Sequence, residues 1–330
     1  PMLTALASGF HAEKLGLTHT LFLLLLPCLF FSGMAKIAGA VLNAGEAFAL
    51  AALAPLLTPV LAILALWFWG ESKGVYALAA GTLAGFALEA AIMLLALWRK
   101  GVRLRVQWDI KDARVQQVLA QYLPVAASAV LMTGAGVIDQ VMAAMLAPGS
   151  VAALGYGNKV VAFVIGLGSM SLGTAVFPYV ARMAANADWR GLRHTLRAYS
   201  RLLALVTIPT TLVLVYFSEP LVRLIYERGA FTNADTKLVG RVQAFYFLQM
   251  PFHLLGILGV RVLSALARNQ SLIRITAVNL LVNVAANYVF MRLMGVAGIS
   301  LSTSLVYVVS MSLILWTLHR ELGKLEMTNT

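Results

Sequence analysis

The sequence predicts an all-α polytopic membrane protein, and three observations predict it. Apolar residues make up 61 % of the 330-residue chain and charged residues only 12 %, too few to cover the surface of a soluble domain. Nine apolar runs match the length of about 20 residues that a bilayer-spanning helix needs. The rhythm of runs and breaks in residues 24–98 also returns 224 residues later. The runs are helices rather than strands because lipid offers no partner to an open sheet edge.

The first run, 18–42, contains Pro27, the lone Cys28 and Lys36; one cysteine allows no disulfide framework and no Cys-based metal site. The second (47–69) and third (74–98) meet at Gly74-Val75, and Glu89 sits deep in the third among apolar neighbours. The basic segment 99–118 follows; its alternating Val102, Leu104, Val106 and Trp108 suit a stretch lying at the membrane interface. The fourth run (119–146) carries Pro124 and Asp139, and a tight Ala147-Pro148-Gly149-Ser150 turn joins it to the fifth (151–180). That fifth run holds Asn158, Lys159 and five glycines, which serve close packing by default and flexibility by hypothesis. Pro209 lies in the sixth run (198–218), and Pro251 with Arg261 in the seventh (238–264). The eighth (272–291) shows Asn279, Asn283 and Asn287 on one helical face, and the ninth (296–318) ends the series.

With the offset of 224, the break Leu42–Phe48 falls on Leu266–Leu272, Gly74-Val75 on Gly298-Ile299, and Pro27 on Pro251. Six crossings separate the two copies, so they share an orientation. The repeat unit is therefore six helices, related to its partner by an axis along the membrane normal. Residues 1–98 are expected to be the second half of a first lobe, 99–118 a cytoplasmic linker, 119–318 a six-helix second lobe and 319–330 a cytoplasmic tail. Three further helices are expected ahead of Pro1, which also stands without a Met or a signal peptide.

The net charge of +12 could suggest nucleic acid, but its distribution points elsewhere. Sixteen of the 25 Lys and Arg residues fall on one side of the nine crossings and seven on the other. The basic side is read as cytoplasmic, and basic loops then need no nucleic acid to explain them. Five histidines lack ligand spacing, no P-loop motif is present, and no Ser/His/Asp set can be assembled. A membrane transferase or polymerase would need a large polar extracytoplasmic loop, whereas the longest here is 219–237.

Several segments resemble the MurJ/MviN lipid II flippases of the MOP exporter superfamily. They are Ala7-Ser8-Gly9-Phe10, Leu42-Asn43-Ala44 with Phe48 and Ala54-Pro55, and Pro148-Gly149-Ser150-Val151 leading to Tyr156. Further on come Gly173-Thr174 with Phe177-Pro178, Glu219-Pro220-Leu221, Arg228-Gly229-Ala230-Phe231-Thr232 with Asp235-Thr236, and Gly295 to Ser304. The resemblance implies a two-lobed transporter around a V-shaped cavity, with nine of its twelve core helices present here. It implies a protein that is no enzyme: a flippase moving an undecaprenyl-diphosphate-linked oligosaccharide across the bacterial inner membrane by alternating access. The alternatives are flipping of exopolysaccharide or O-antigen repeat units, and drug or cation export. Na⁺ or H⁺ coupling is possible; no other cofactor and no metal site is expected. Where the family carries Ala-Asp-Arg, this chain has Gly157-Asn158-Lys159. Positive charge is kept there, but a bidentate fork becomes a point charge.

Among candidate residues, Asp139 and Lys159 form the sharpest pair. Each lies ten residues from Gly149, so in an antiparallel hairpin they share a depth on the order of 10 Å. They form either a structural ion pair or a site in which Lys159 takes a substrate phosphate and Asp139 tunes it. Asn158 stands beside Lys159. Lys36 and Arg261 are near repeat mates and would approach each other across the cytoplasmic entrance, unless they snorkel to headgroups. Glu89, whose repeat mate is Leu313, is either an ion-coupling acid or a neutral acid bonded to a neighbouring helix. Asn283 and its two stripe mates either line the cavity for sugar hydroxyls or tie helices together.

Overall fold

The computed structural model describes residues 12–45, 48–102, 116, 133–176, 179–180, 182–183, 186, 188–266 and 268–328, and every regular element among them is a helix. The chain divides into two compact units, Pro1–Gln116 and Gln117–Thr330. Among the described residues, eight segments are long and apolar enough to cross a membrane. They coincide with eight of the nine expected runs. Half of the fourth run, and most of the 99–118 linker, lies outside the described residues.

In the first unit, α1 (Ala12–Ala44) is followed by α2 (Phe48–Leu53), a 3₁₀ turn (Ala54–Leu56), α3 (Leu57–Lys73) and α4 (Val75–Arg99). Pro27 was expected to interrupt its run, yet α1 continues through it. A membrane helix tolerates proline where its surroundings re-satisfy the freed carbonyl. The small core is built at one end from Ala35, Ala38, Leu42, Ala54, Ala90, Met93 and Leu97. Lipid supplies no hydrophobic drive between helices, so they associate by close packing, which favours small side chains. The α3–α4 seam takes this furthest. A Cβ on Gly85 would stand 2.5 Å from the Thr58 Cα, and one on Gly81 2.9 Å from the Ala62 Cα.

The second unit contains α5 (133–144), α6 (Ser150–Ala175), α7 (Trp189–Tyr216) and α8 (Ser218–Tyr226), then α9 (Asn233–Phe247), α10 (Met250–Ala265), α11 (Asn269–Met294) and α12 (Val296–Thr328). Gly149, at φ 93°, allows the tight turn into α6. Asp188 caps α7 by accepting from the Gly191 amide at 2.9 Å. α7 runs unbroken through Pro209. The seventh run, in contrast, is two helices, α9 and α10, with Pro251 in the first turn of the second, where no intrahelical donor is lost. One continuous core joins α6, α9, α10 and α12, with Leu154, Val161, Val242, Phe247, Leu254 and Ile299 among its buried members.

A matching pattern of turns and helix ends recurs in the two units, at a register different from the one expected. The turn Gly74, φ 51°, corresponds to Gly295, φ 63°, and not to Gly298. Each accepts the same local pattern: Gly74 N–H donates to the Gly70 carbonyl and Gly295 N–H to that of Met291, while Ala77 and Gly298 donate back to the turn glycine. These positions are 221 residues apart, as are the ends of α1 and α10 at Ala44 and Ala265. The correction is about one helical turn. It makes Ser310, not Leu313, the mate of Glu89. It also moves Lys36 and Arg261 about a turn out of register with each other.

At this register a cross-helix bond recurs. Thr58 donates to the Glu89 carboxylate at 3.3 Å, and Asn279 donates to the Ser310 hydroxyl at 2.9 Å. Thr58 and Asn279 are equivalent positions, as are Glu89 and Ser310. We expect Gly85→Ala to destabilise the first unit by about 1–3 kcal/mol through overpacking. Gly70→Ala, whose Cβ would meet only Leu66 at 3.8 Å, should be neutral. Denaturant unfolding in detergent reads both; equal midpoints would dismiss the close seam.

Candidate functional site

The Asn stripe of α11 is aimed at one carboxylate. Asp139 on α5 is buried, 8 % exposed. Its Oδ1 accepts from the Asn283 amide at 3.0 Å and from the Asn287 amide at 2.6 Å. Its Oδ2 accepts from the Thr303 hydroxyl of α12 at 3.2 Å. Asn283 also accepts from Asn287 at 3.3 Å through its side-chain oxygen. One acid thus ties three helices of the second unit, and these three donors are neutral. A charge at mid-membrane costs about 2.5–3.5 kcal/mol. Hydrogen bonds to a charged group return about 1.5–3 kcal/mol each, so three of them can hold it without a cation.

The oxygen content of this cluster stands out. The Asn287 Oδ1 is buried and accepts no hydrogen bond among the described residues. Together with the Asp139 carboxylate, the Asn283 Oδ1 and the Thr303 hydroxyl it offers hard oxygen donors of the kind an alkali cation takes. Tyr246 of α9 is buried near the Thr303 hydroxyl. Tyr307 stands a turn beyond Thr303 and stacks on His253 of α10, ring centroids 4.5 Å apart. Of these groups, sequence reasoning singled out Asp139 and the Asn stripe and missed Thr303 and Tyr246. Thr303 does lie in the Ser/Thr-rich stretch 300–304, where hydroxyls recur inside a membrane span.

Lys159 is not the partner of Asp139. Leu154, Gly157, Val161 and Ile165 face the core of the second unit, while Asn158 is exposed at the edge of that face and Lys159 is exposed on the opposite side of α6. Equal distance from a hairpin tip sets equal depth; it does not set the face of the helix. The Lys159 ammonium instead lies 5.1 Å from the centre of the Tyr156 ring. That ring meets Tyr226 at 5.1 Å and Phe231, edge-on, at 5.8 Å. Within the Arg228–Thr232 stretch, Phe231 packs on the Tyr156 ring and on Tyr226. Thr232 and Asp235 then form the capping box of α9. Close by, outside the spans, the Thr236 hydroxyl and next the Arg223 side chain hold the Glu227 carboxyl below its ordinary range.

Glu89 is buried in the first unit and takes the Thr58 hydroxyl, the inter-helix bond that was one of its two readings. Lys36 is exposed on α1 of the first unit, and Arg261 is exposed on α10 of the second. Among the described residues no group of three or more His, Cys, Asp and Glu side chains could hold a metal ion.

Comparisons with known proteins point the same way. The family model described as lipid II flippase MurJ matches residues 1–329. The probable lipid II flippase MurJ of Synechocystis sp. is 30 % identical over 98 % of this chain and 63 % of the relative. The probable lipid II flippase MurJ of Vibrio cholerae serotype O1 is 26 % identical, over 95 % of this chain and 60 % of its own length. The chain thus spans about three fifths of the length of these curated relatives. A solved lipid II flippase MurJ in an inward closed conformation superposes with a TM-score of 0.82 at 22 % identity, covering 98 % of this chain and 68 % of that one. An inward-facing multidrug resistance MATE transporter of the MOP superfamily gives 0.77 at 15 % identity, over 100 % of this chain and 78 % of that one. Both structures share the fold.

We expect Asp139→Leu to destabilise the second unit by about 1–3 kcal/mol for each amide or hydroxyl it leaves unpaired. Asn279→Ala, which removes a single inter-helix bond, should cost about 0.6 kcal/mol. Thermal unfolding of the purified protein distinguishes them. Equal losses would deny Asp139 its central place.

Proposed function

The chain belongs to the MurJ family of lipid II flippases, and we propose that it acts within a flippase carrying lipid II, a polyprenyl-diphosphate-linked glycopeptide, across the inner membrane by alternating access. The observation that carries this reading is the match of the family model from residue 1 to 329. The likeness to drug exporters stands at 15 % identity and speaks for the fold, not for the cargo. Such transport breaks no covalent bond. It needs a cationic place for the diphosphate and a second element whose state drives the change of access.

Lys159 suits the first role. Its side chain is exposed, with the ammonium over the Tyr156 ring, and that ring is itself held against Phe231 and Tyr226. A cation over an aromatic face gains about 0.5–1 kcal/mol, little enough for an anion to draw it away. Asn158 beside it offers an amide. Arg261 and Lys36 supply further positive charge at the basic ends of their helices, which the distribution of charge places on the cytoplasmic side.

Asp139 suits the second role better than Glu89 does. Its bonds tie its own helix to two others, whereas Glu89 holds one hydroxyl. A proton or Na⁺ arriving at Asp139 withdraws acceptor capacity from Asn283, Asn287 and Thr303. The packing of α5 against α11 and α12 then changes with the occupancy of one site. The coupling ion and the substrate are thereby read by different residues of the same unit.

Reconstituted full-length protein with fluorescent lipid II tests both roles. Lys159→Gln should lower the flipping rate tenfold or more at unchanged abundance, because no buried acid is left behind, while Lys159→Arg should keep it. Asp139→Asn should remove the response of the rate to an imposed Na⁺ or pH gradient. A parental rate in Lys159→Gln rejects the binding role; a retained ion response in Asp139→Asn rejects the coupling role.

A further inference from the structure

At one end of the second unit, α7, α10 and α12 enclose a cavity of about 380 Å³. Arg193, Arg197 and Arg201 all border it, and so does His319 from α12. The three arginines recur every fourth residue, so they form one stripe along the first turns of α7. Leu258 of α10 and Leu318 of α12 lie behind them, both buried. Among the described residues that border the cavity there is no carboxylate. Gly259 of α10 lets the Ile314 side chain of α12 come against its backbone, which closes the apolar back of the cavity.

We propose that this cavity binds an anionic phospholipid of the adjoining leaflet, with its phosphate on Arg197 and Arg201 and an acyl chain along the leucine floor. The chemistry that selects it has two parts. Guanidinium groups form forked hydrogen bonds to phosphate oxygens and tolerate partial desolvation better than ammonium groups do. A floor of leucines asks for a hydrocarbon chain, which neither free phosphate nor an acidic peptide provides. The position agrees. The membrane-crossing segment of α7 begins at Gly191, so Arg193 and Arg197 fall within about 10 Å of its start, at headgroup depth. Arg201 lies one turn further in and reaches back toward the headgroups along its own stem. Basic pockets between membrane helices are recognised receptors for acidic headgroups.

The site is separate from Lys159 and from the Asp139 cluster, and it does not depend on which lipid-linked cargo is carried. Its occupant would splint three helices, two of which, α10 and α12, run on to His253 and Tyr307. Binding there would stiffen the second unit at the end away from Lys159.

The experiment uses the purified full chain in nanodiscs and in detergent. Native mass spectrometry and thermal shifts are recorded with phosphatidylglycerol, phosphatidylcholine, undecaprenyl diphosphate and inorganic phosphate. Arg197→Gln with Arg201→Gln should lower phosphatidylglycerol affinity by about 30-fold, each charge counting about fivefold, and leave phosphatidylcholine retention unchanged. The Arg197→Lys, Arg201→Lys protein, which keeps the charge and loses the fork, should fall between the parent and the glutamine variant. Leu258→Trp, which fills the floor, should weaken the phospholipid and not inorganic phosphate. Photo-crosslinking of the unaltered protein with a diazirine-tailed phosphatidylglycerol should label peptides 193–201 and 315–319, a readout independent of how the variants fold. Unchanged phosphatidylglycerol affinity in the glutamine variant, absence of label in those peptides, or competition by inorganic phosphate at equal concentration would overturn the proposal. Preference for undecaprenyl diphosphate over phosphatidylglycerol would overturn it too, in favour of a cargo site.

Discussion

A hydrocarbon solvent offers a polar side chain no partner, so each must find one within the protein: a hydroxyl can use its own helix, but a carboxylate or an amide needs another. Much of this architecture follows from that constraint. Thr58 meets Glu89, Asn279 meets Ser310, and Asn283, Asn287 and Thr303 converge on Asp139. Helices that approach closely enough to make such bonds need small residues at the crossing. The Gly81 and Gly85 seam is the clearest case, with Glu89 one further step of four along the same face. Polar contact and close packing are here one feature, since each requires the other.

Much of the fold was legible in the sequence because hydropathy and chain length together leave lipid-spanning segments few options. Eight of the nine expected runs are helices of crossing length. The repeat was legible as well, but not its phase. Gly295 and Gly298 are both glycines beside a β-branched or small apolar residue, and only the positive φ of Gly295 marks it as the turn. Apolar runs carry no sharp marker of their own, so a slip of one turn left the pattern intact. The consequence was large. The slip hid the equivalence of Glu89 with Ser310, and with it the shared cross-helix bond.

The site was half legible for a related reason. Spacing from Gly149 gave the depth of Asp139 and Lys159, and depth is a one-dimensional quantity. Which way each side chain points depends on where the apolar stripe of α6 turns, and that stripe places Lys159 outward. The Asn stripe of α11 gave a face without its target. Thr303 and Tyr246 come from two other helices, and no spacing along the chain joins them to residue 139. The Arg228–Thr232 stretch shows the opposite situation. It was conspicuous as a string, but nothing in the string tells that Phe231 packs on the Tyr156 ring, which lies beneath Lys159.

The twin bonds between α3 and α4 and between α11 and α12 carry a consequence for ancestry. One half uses a hydroxyl and a carboxylate, the other an amide and a hydroxyl, at equivalent places. Since the halves diverged, the identity of both residues has drifted while a donor facing an acceptor has persisted. Comparison of the halves letter by letter finds no match at either position. An alignment scored by the capacity to give or receive a hydrogen bond would recover the kinship that residue identity has lost.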